Sequence, residues 1–393
     1  MEFLKKNDLE VVRGFSYSPG TYLIRSPNQV GGKLLQLANQ LAESELTVYA
    51  EPNLHYTMED DLVPADYLYS TDQWHLPLIN AEDAWDITTG DHDITICVHD
   101  RGLWIDAAGN PHPDFDTTGL GWTKIHSPWD FQDMNNTTPY HPTNNHGTQC
   151  CGVATALQNN GGLGVSGLAP DCRLIPTRRY NSNSTDEQGD AYIWASGFAP
   201  ENPDPAFPAP PANPADVIVS SYGSNGLALS GLMQDAFDFI TTYGRGGRGC
   251  VMIFSAGNGD IDVAAREWAS YEKTICVAAS DNNEVRSVFN ASQASNYGEE
   301  IDICAPSSGG TDAICTTDFV GNGTLAGSAT PGASLDYRDT FGGTSSAAPL
   351  VAGLVGLMLS ANPELTWIQV RDILRNTAVK IDAANTDADG QWL

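Results

Sequence analysis

Residues 341–353 read FGGTSSAAPLVAG and open a run of small and apolar residues that extends from Ala347 to Ala361. The run predicts a buried helix, and Ser345 follows Gly-Gly-Thr at its mouth. A serine there holds its hydroxyl in a fixed direction, with free amides and the positive end of the helix dipole beside it. Both features help an attacking oxygen whose adduct becomes an oxyanion. Taken alone, the same pattern is a serine N-cap on a core helix. A membrane span fits less well, because the run is short and sprinkled with Gly and Ala. Ser345 is a candidate nucleophile only if the rest of the chain supplies a base, an orienting acid and an oxyanion donor.

Outward from this helix, the chain alternates. DITICVHD, CRLIPTRRY, VIVSSYG, GCVMIFSAGN, KTICVAAS and IDICAPS are short β-rich runs, and DAYIWASGFA and GLMQDAFDFITTYG are helical stretches between them. The alternation predicts an α/β domain over residues 62–393, with a mostly parallel central sheet covered by helices. Sites in such sheets gather at the carboxyl ends of the strands, where Asp100, Ser221 and Asn258 stand. Residues 1–61 form a separate small α+β unit. TYLIR reads as a strand, GGKLLQLANQLAESE as an amphipathic helix and LTVYAEPNL as a second strand, followed by an acidic linker. The proline-rich stretch at 199–215 predicts a surface loop.

The balance of 49 acidic against 19 basic residues gives a net charge of −30. It argues against nucleic acid or an anionic membrane as partner and suits a solvated surface, cation binding or a salty medium. The first thirty residues lack the unbroken apolar core of a secretory signal. Cys97, Cys250 and Cys276 fall inside apolar strand runs, where a small buried thiol is expected, so a reduced intracellular chain is favoured over a disulfide framework. Secretion would require an N-terminus that continues beyond the one given.

Three further motifs supply what Ser345 needs. VHDRG places Asp100 at a strand end, with HPDF shortly after. HGTQCCG places His146 between loop-forming asparagines and a small-residue helix, and SAGNG flanks Asn258 with glycines. Singly these are a strand-end cap, a solvated histidine (as His99 and His112 are read) and a turn. In the order Asp100, His146, Ser345, and together with GGTSSAAPLVAG, they resemble the subtilisin-like serine peptidases from Gln73 onward. The resemblance implies a serine endopeptidase. Ser345 would attack a peptide carbonyl, His146 would move the proton, Asp100 would orient the ring, and Asn258 with the Ser345 amide would hold the oxyanion. It also implies that Ser221, Tyr222 and Gly223, with Ser255, Ala256 and Gly257, pair with an extended peptide or protein substrate as added strands. Two other readings stand beside it. One is a catalytically silent binding module of the same fold. The other is a metallohydrolase using His99, Asp100 and His146, which lacks a third ligand at metal-like spacing and leaves Ser345 idle.

Within the family, DQWHLPLINAEDAW, GRGGRGCVMIFSAGNG and ANPELTWIQVRDIL resemble the kexin/furin branch, which keeps a free thiol where Cys150 stands. That branch implies a structural Ca2+ on the loop ALQNNGGLGVSG. Its ligands would be the carbonyls of Leu157, Gly162 and Gly164, the Asn160 side chain, and the carboxylates of Asp66 and Asp130. Residues 1–61 would be a propeptide, chaperone and intramolecular inhibitor at once, and the family adds a helix beyond the closing DADGQWL. On specificity the chain departs from the branch. Arg266 aligns with the aspartate at the floor of the primary pocket, and SNG follows SSYG where the branch carries acids. No Lys or Arg occurs between Lys33 and Arg101, while Glu59, Asp60 and Asp61 fall where a propeptide would end. The expectation is a pocket that does not take basic residues, reading either carboxylates through Arg266 or apolar side chains if that arginine turns to solvent.

Overall fold

The computed structural model describes residues 9–15, 18–27, 37–41, 50, 63–136, 139–181, 184–200, 207–223, 228–330, 332–387 and 390–392. The chain divides into two units, Met1–Asp60 and Asp61–Leu393. In the first, strands β1 (Glu10–Phe15) and β2 (Ser18–Arg25) form an antiparallel hairpin. Residues 37–41 are helical, within the stretch expected to be so, and bury Leu37 and Ala38. The expected closing strand, apart from Ala50, and the processing region at 59–61 lie outside the described residues.

The second unit is built on seven parallel strands. In chain order its strands are β3 (Thr95–Asp100), β4 (Trp129–Asp130), β5 (Arg173–Arg178), β6 (Val217–Ser220), β7 (Val251–Ser255) and β8 (Ile275–Ser280). A short antiparallel pair, β9 (Val288–Asn290) and β10 (Gln293–Ala294), precedes β11 (Ile303–Pro306). The sheet runs β11-β8-β7-β6-β3-β5-β4. All six residues of β3 and of β8 are buried, because both faces are covered. That is why these strands read as continuous apolar runs rather than alternating ones.

The faces separate cleanly. Ile96, Val98, Val219, Ile253 and Val277 pack with α1 (His146–Thr155) and α4 (Thr344–Ala361). Cys97, Ile218, Met252, Phe254 and Cys276 point the other way, against α2 (Thr185–Ala195) and α3 (Gly231–Gly247) through Tyr192, Trp194, Phe237 and Ile240. At 18 residues, α4 is long and apolar enough to cross a bilayer, so its length does not exclude a span. What defines it is burial against five strands of the sheet. Its small residues permit that approach, since a Cβ on Gly356 would come within 2.8 Å of Ile96 Cδ1.

A second sheet of β12 (Ile314–Thr317), β13 (Leu325–Ala326) and β14 (Leu335–Phe341), ordered β12-β14-β13, is antiparallel and feeds directly into α4. After α4, helix α5 (Trp367–Thr377) starts on a capping box between Thr366 and Gln369. All eight cysteines are unpaired thiols, and only Cys304 is not fully buried.

Candidate active site

Strands β7, β6 and β3 are neighbours, so the segments leaving their carboxyl ends lie side by side. Asp100 closes β3, Ser221 follows β6, and Asn258 follows β7. Helix α1 brings in His146 as its first residue. Its start is fixed by Asn144 Oδ1, which accepts from His146 N at 3.1 Å. Close packing helps too: a Cβ on Gly147 would fall 2.4 Å from Gly102 O, beyond the end of β3. His146 Nδ1 thereby stands 2.7 Å from Asp100 Oδ1, with the Asp100 side chain 3% exposed and the His146 side chain 31%. Burial opposes the charged ring, but Asp100 and Cys150 together outweigh it and raise the His146 pKa well above its usual value. Burial likewise opposes ionisation of Asp100, and the charge and hydrogen bond of His146 reverse it, holding that carboxyl below its usual range.

Ser345 is presented by a tight turn. Gly343 has φ +74°, and a Cβ there would lie 2.9 Å from Asn258 Nδ2, so no side chain fits. Asn258 Oδ1 accepts from Thr344 N and Thr344 Oγ1, each at 2.9 Å. The Asn258 amide is thus turned so that its Nδ2 faces the mouth of α4. Asn296, which carried no signal in the sequence, supports this turn. It donates to Ala256 O at 2.7 Å and accepts from Gly259 N at 2.9 Å and Ile261 N at 3.2 Å.

Pro349 lies inside α4, four residues after Ser345. It has no N–H to give the Ser345 carbonyl. That carbonyl instead accepts from Ser221 Oγ at 3.0 Å and from Cys150 Sγ at 3.6 Å. Ser345 Oγ returns the contact by donating to Ser221 O at 3.3 Å. Cys150 Sγ is also 3.7 Å from His146 Nδ1, so this buried thiol touches the His146 ring and the Ser345 main-chain carbonyl. His99 is on the other face of β3, its Nδ1 paired with Thr177 Oγ1 at 2.7 Å, away from His146. A shared metal site for His99, Asp100 and His146 is therefore not formed.

The two expected substrate segments differ. Ser255, Ala256 and Gly257 are buried and their backbone is already used. Ser255 pairs with Val277 in the sheet, Ala256 N donates to Val277 O, and Gly257 exchanges bonds with Thr344 Oγ1 and Asn296 N. Strand addition on 255–257 is therefore corrected: this segment can wall a pocket but cannot take on another strand. Tyr222 and Gly223 leave the end of β6 half-buried, and the SNG segment after them lies outside the described residues. Arg266 ends a short helical turn at Val263–Ala265. Its guanidinium carbon would be 3.2 Å from a Cβ on Gly257, and its Nη2 3.6 Å from a Cβ on Gly223. It lies between the two segments and is half-buried there.

Below α1, residues 157–164 form a loop around a pair of acids. Asp66 accepts from Asn159 N through both oxygens at 3.0 Å. Asp114 accepts from Asn160 Nδ2 and Tyr337 Oη at 3.0 Å and from Val165 N at 3.1 Å. Burial, with a contribution from the Asp66 charge, pushes Asp114 up to about 7 despite these bonds. Asn160 Oδ1 is buried without a hydrogen-bond partner among the described residues. A Cβ on Gly164, whose φ is +65°, would strike Tyr337 Oη at 2.2 Å, so the loop closes only over glycine. Two buried acids and an orphaned amide oxygen suit a hard cation. Asp130, expected here, is elsewhere: it sits in β4, buried, with its carboxylate 2.8 Å from Arg178. The acid at this loop is Asp114 of HPDF, which the sequence displays but which only the folded chain connects to Asn160.

A parallel α/β sheet with an Asp–His pair at one strand end and a serine at the mouth of the central helix defines the subtilisin-like fold. The chain belongs to the subtilase family, whose defining sequence pattern matches residues 91–391. It is 31% identical to a calcium-dependent protease of Trichormus variabilis over 99% of this chain, spanning 58% of that protein's length. A thermophilic serine proteinase of Bacillus sp. strain AK1 is 29% identical over 90% of this chain and 73% of its own. Among solved structures, a protease of Pseudoalteromonas arctica superposes with a TM-score of 0.62 at 28% identity, over 80% of this chain and 92% of that one.

Proposed function

We propose that this chain is a serine endopeptidase acting through Asp100, His146 and Ser345, with Asn258 Nδ2 and the Ser345 amide as oxyanion donors. The observation that carries this reading is the 2.7 Å contact of His146 Nδ1 with Asp100, beside the serine that Asn258 faces. That contact leaves Nε2 as the nitrogen available for proton transfer. Rotation about χ1 turns Ser345 Oγ from Ser221 O to His146 Nε2, which takes the proton as Oγ attacks and returns it to the leaving amine. The same rotation frees Ser221 O to accept a substrate N–H. Negative charge growing on the carbonyl oxygen is met by donors already aimed.

Calcium belongs to this reading as a structural ion, held by Asp66, Asp114, Asn160 Oδ1 and the carbonyls of Leu157, Gly162 and Gly164. When bound it neutralises the two acids and ties the loop to the 112–115 turn. Residues 1–61 act as a self-cleaved propeptide, and the motifs shared with the kexin/furin branch, with Cys150 under His146, support a place near that branch. A fluorophosphonate probe tests the assignment. It should label Ser345 of processed protein and should not label Ser345→Ala, which should stay folded with residues 1–61 attached. A folded, processed wild type that takes no label would make the chain a binding module instead.

A further inference from the structure

The residue before His146 does not cap the helix it opens. Asn145 stands at the N-cap of α1 with φ −80° and ψ −1°, and its side chain makes no capping bond, although asparagine is a preferred cap. Its Nδ2 donates instead to Asp318 Oδ1 at 2.5 Å, across 173 positions of the chain. Asp318 directly follows β12 and is fully buried. Two further donors hold its carboxylate: Phe319 N reaches Oδ1 at 2.7 Å and Arg338 Nε reaches Oδ2 at 2.5 Å. Arg338 lies in β14, opposite Thr316 of β12. The two residues before Asp318 grip the same helix. Thr316 Oγ1 donates to Gln149 O at 2.9 Å, and Thr317 Oγ1 to Thr148 O at 2.8 Å. At its other end, β14 closes on Phe341, whose ring stands T-shaped to the His146 ring at 5.6 Å between centroids, just before α4 opens with Thr344 and Ser345. The small sheet thus touches the base and delivers the nucleophile.

We infer that Asp318, held by Arg338, is a positioning residue for His146, acting through Asn145 to fix the base relative to Ser345. The inference rests on the endopeptidase reading and adds to it residues outside the triad. The two threonine bonds already fasten the start of α1 to β12, so the helix stays docked without Asp318. What Asp318 adds is a grip on the residue next to His146, where the chain turns from loop into helix. A carboxylate buried against arginine is a weak source of stability, because desolvation offsets most of the attraction. An apolar side chain would fill the same space. Only an acceptor fixed in direction holds the Asn145 amide in one orientation, and with it the backbone that carries the base. A displacement of about 1 Å in a reacting group can cost about 10^2 in rate, so a small drift of His146 is enough to matter.

Peptide cleavage by Asn145→Ala tests this, with active sites counted by fluorophosphonate labelling carried to completion. In that variant kcat per labelled site should fall roughly ten- to a hundredfold with KM nearly unchanged, because the cleft is intact and only the base is displaced. Asp318→Asn should fall in the same range, since a single amide oxygen cannot serve Asn145, Phe319 and Arg338 as two carboxylate oxygens do. Combining Asn145→Asp with Asp318→Asn exchanges donor and acceptor across the contact and should restore most of the lost kcat. A merely structural loss would not be recovered by that exchange. Asn145 is half-buried and its truncation leaves the Asp318–Arg338 pair in place, so Asn145→Ala serves if Asp318→Asn does not fold. A kcat in Asn145→Ala equal to that of the wild type, a loss seen in KM alone, or an exchange variant no faster than Asp318→Asn overturns the inference. If the wild type takes the label and cuts peptide while such a result follows, only the positioning role fails. If Ser345 takes no label and no peptide is cut, the endopeptidase reading fails and this inference with it.

Discussion

His146 is held between an acid that favours its charged form and a buried setting that opposes it, and the acid prevails. Under the proposed mechanism His146 must be neutral to take the Ser345 proton, so kcat/KM should rise with pH through a midpoint above the ordinary histidine value near 6.5. In Asp100→Asn the charge is gone while burial persists, so the midpoint should move to lower pH. The same change should cost about 10^4 in kcat, because the ring loses the acceptor that fixes its tautomer. An acid limb with the same midpoint in both proteins would show that Asp100 does not set it. Asn258→Ala should cost about 10^2–10^3 in kcat, the loss known for the matching donor in subtilisin, with a smaller change in KM. An unchanged kcat with a raised KM would place Asn258 in substrate binding instead. Asp100, His146, Asn258 and Ser345 are legible in the sequence because each sits in a short motif whose glycines and strand end give it away. Asn296 and Asp114 are not, because what matters about them is the company of residues 35 to 223 positions away.

Helix α4 shows how an element can be set for one residue. Pro349 withdraws the N–H that would otherwise bond Ser345 O, and Ser221 and Cys150 take that acceptor from two other elements. Cys150→Ala should therefore cost about 1 kcal/mol of stability. In a Pro349→Ala background the helix regains a donor at the right spacing, and Cys150→Ala should cost less. A double-mutant cycle from urea unfolding measures the difference, and strictly additive costs would break the proposed link. At this level the sheet was readable because strands covered on both faces become apolar runs, and helix α4 because its small residues are continuous. The β12–β13–β14 sheet escaped notice for the opposite reason. β13 and β12, with two and four residues, are too short to carry a pattern, and β14, with seven, is mixed in burial without alternation, so no periodicity survives. Asp130, expected at the 157–164 loop, pairs instead with Arg178, and a lone carboxylate in the sequence does not show which partner it will meet.

A molecule with a net charge of −30 works against its own compactness, and the two acids buried beside residues 157–164 add to that cost locally. Burial raises the pKa of both Asp66 and Asp114, which means that the folded chain resists their ionisation. A divalent cation between them would reverse this, and since the proposed ligands are assembled only by folding, it would stabilise the folded state by mass action. The gain is about 2.7 kcal/mol at a hundred times the dissociation constant. Thermal unfolding of Ser345→Ala protein, which cannot digest itself under the proposed mechanism, should shift upward with excess calcium and downward with chelator. Asp114→Asn should remove most of that difference while leaving Tyr337 and Val165 a side-chain partner. Asp130→Asn should behave the other way. It should lower the unfolding temperature in calcium and in chelator alike, since it strips Arg178 of its buried partner, a loss of up to about 3–5 kcal/mol that Asp133 softens. The calcium-dependent difference should survive in that variant. If Asp130→Asn abolishes the difference and Asp114→Asn preserves it, the ion belongs with Asp130 and the loop assignment is wrong. If neither variant nor chelator changes the curve, the buried acids are held by their hydrogen bonds alone.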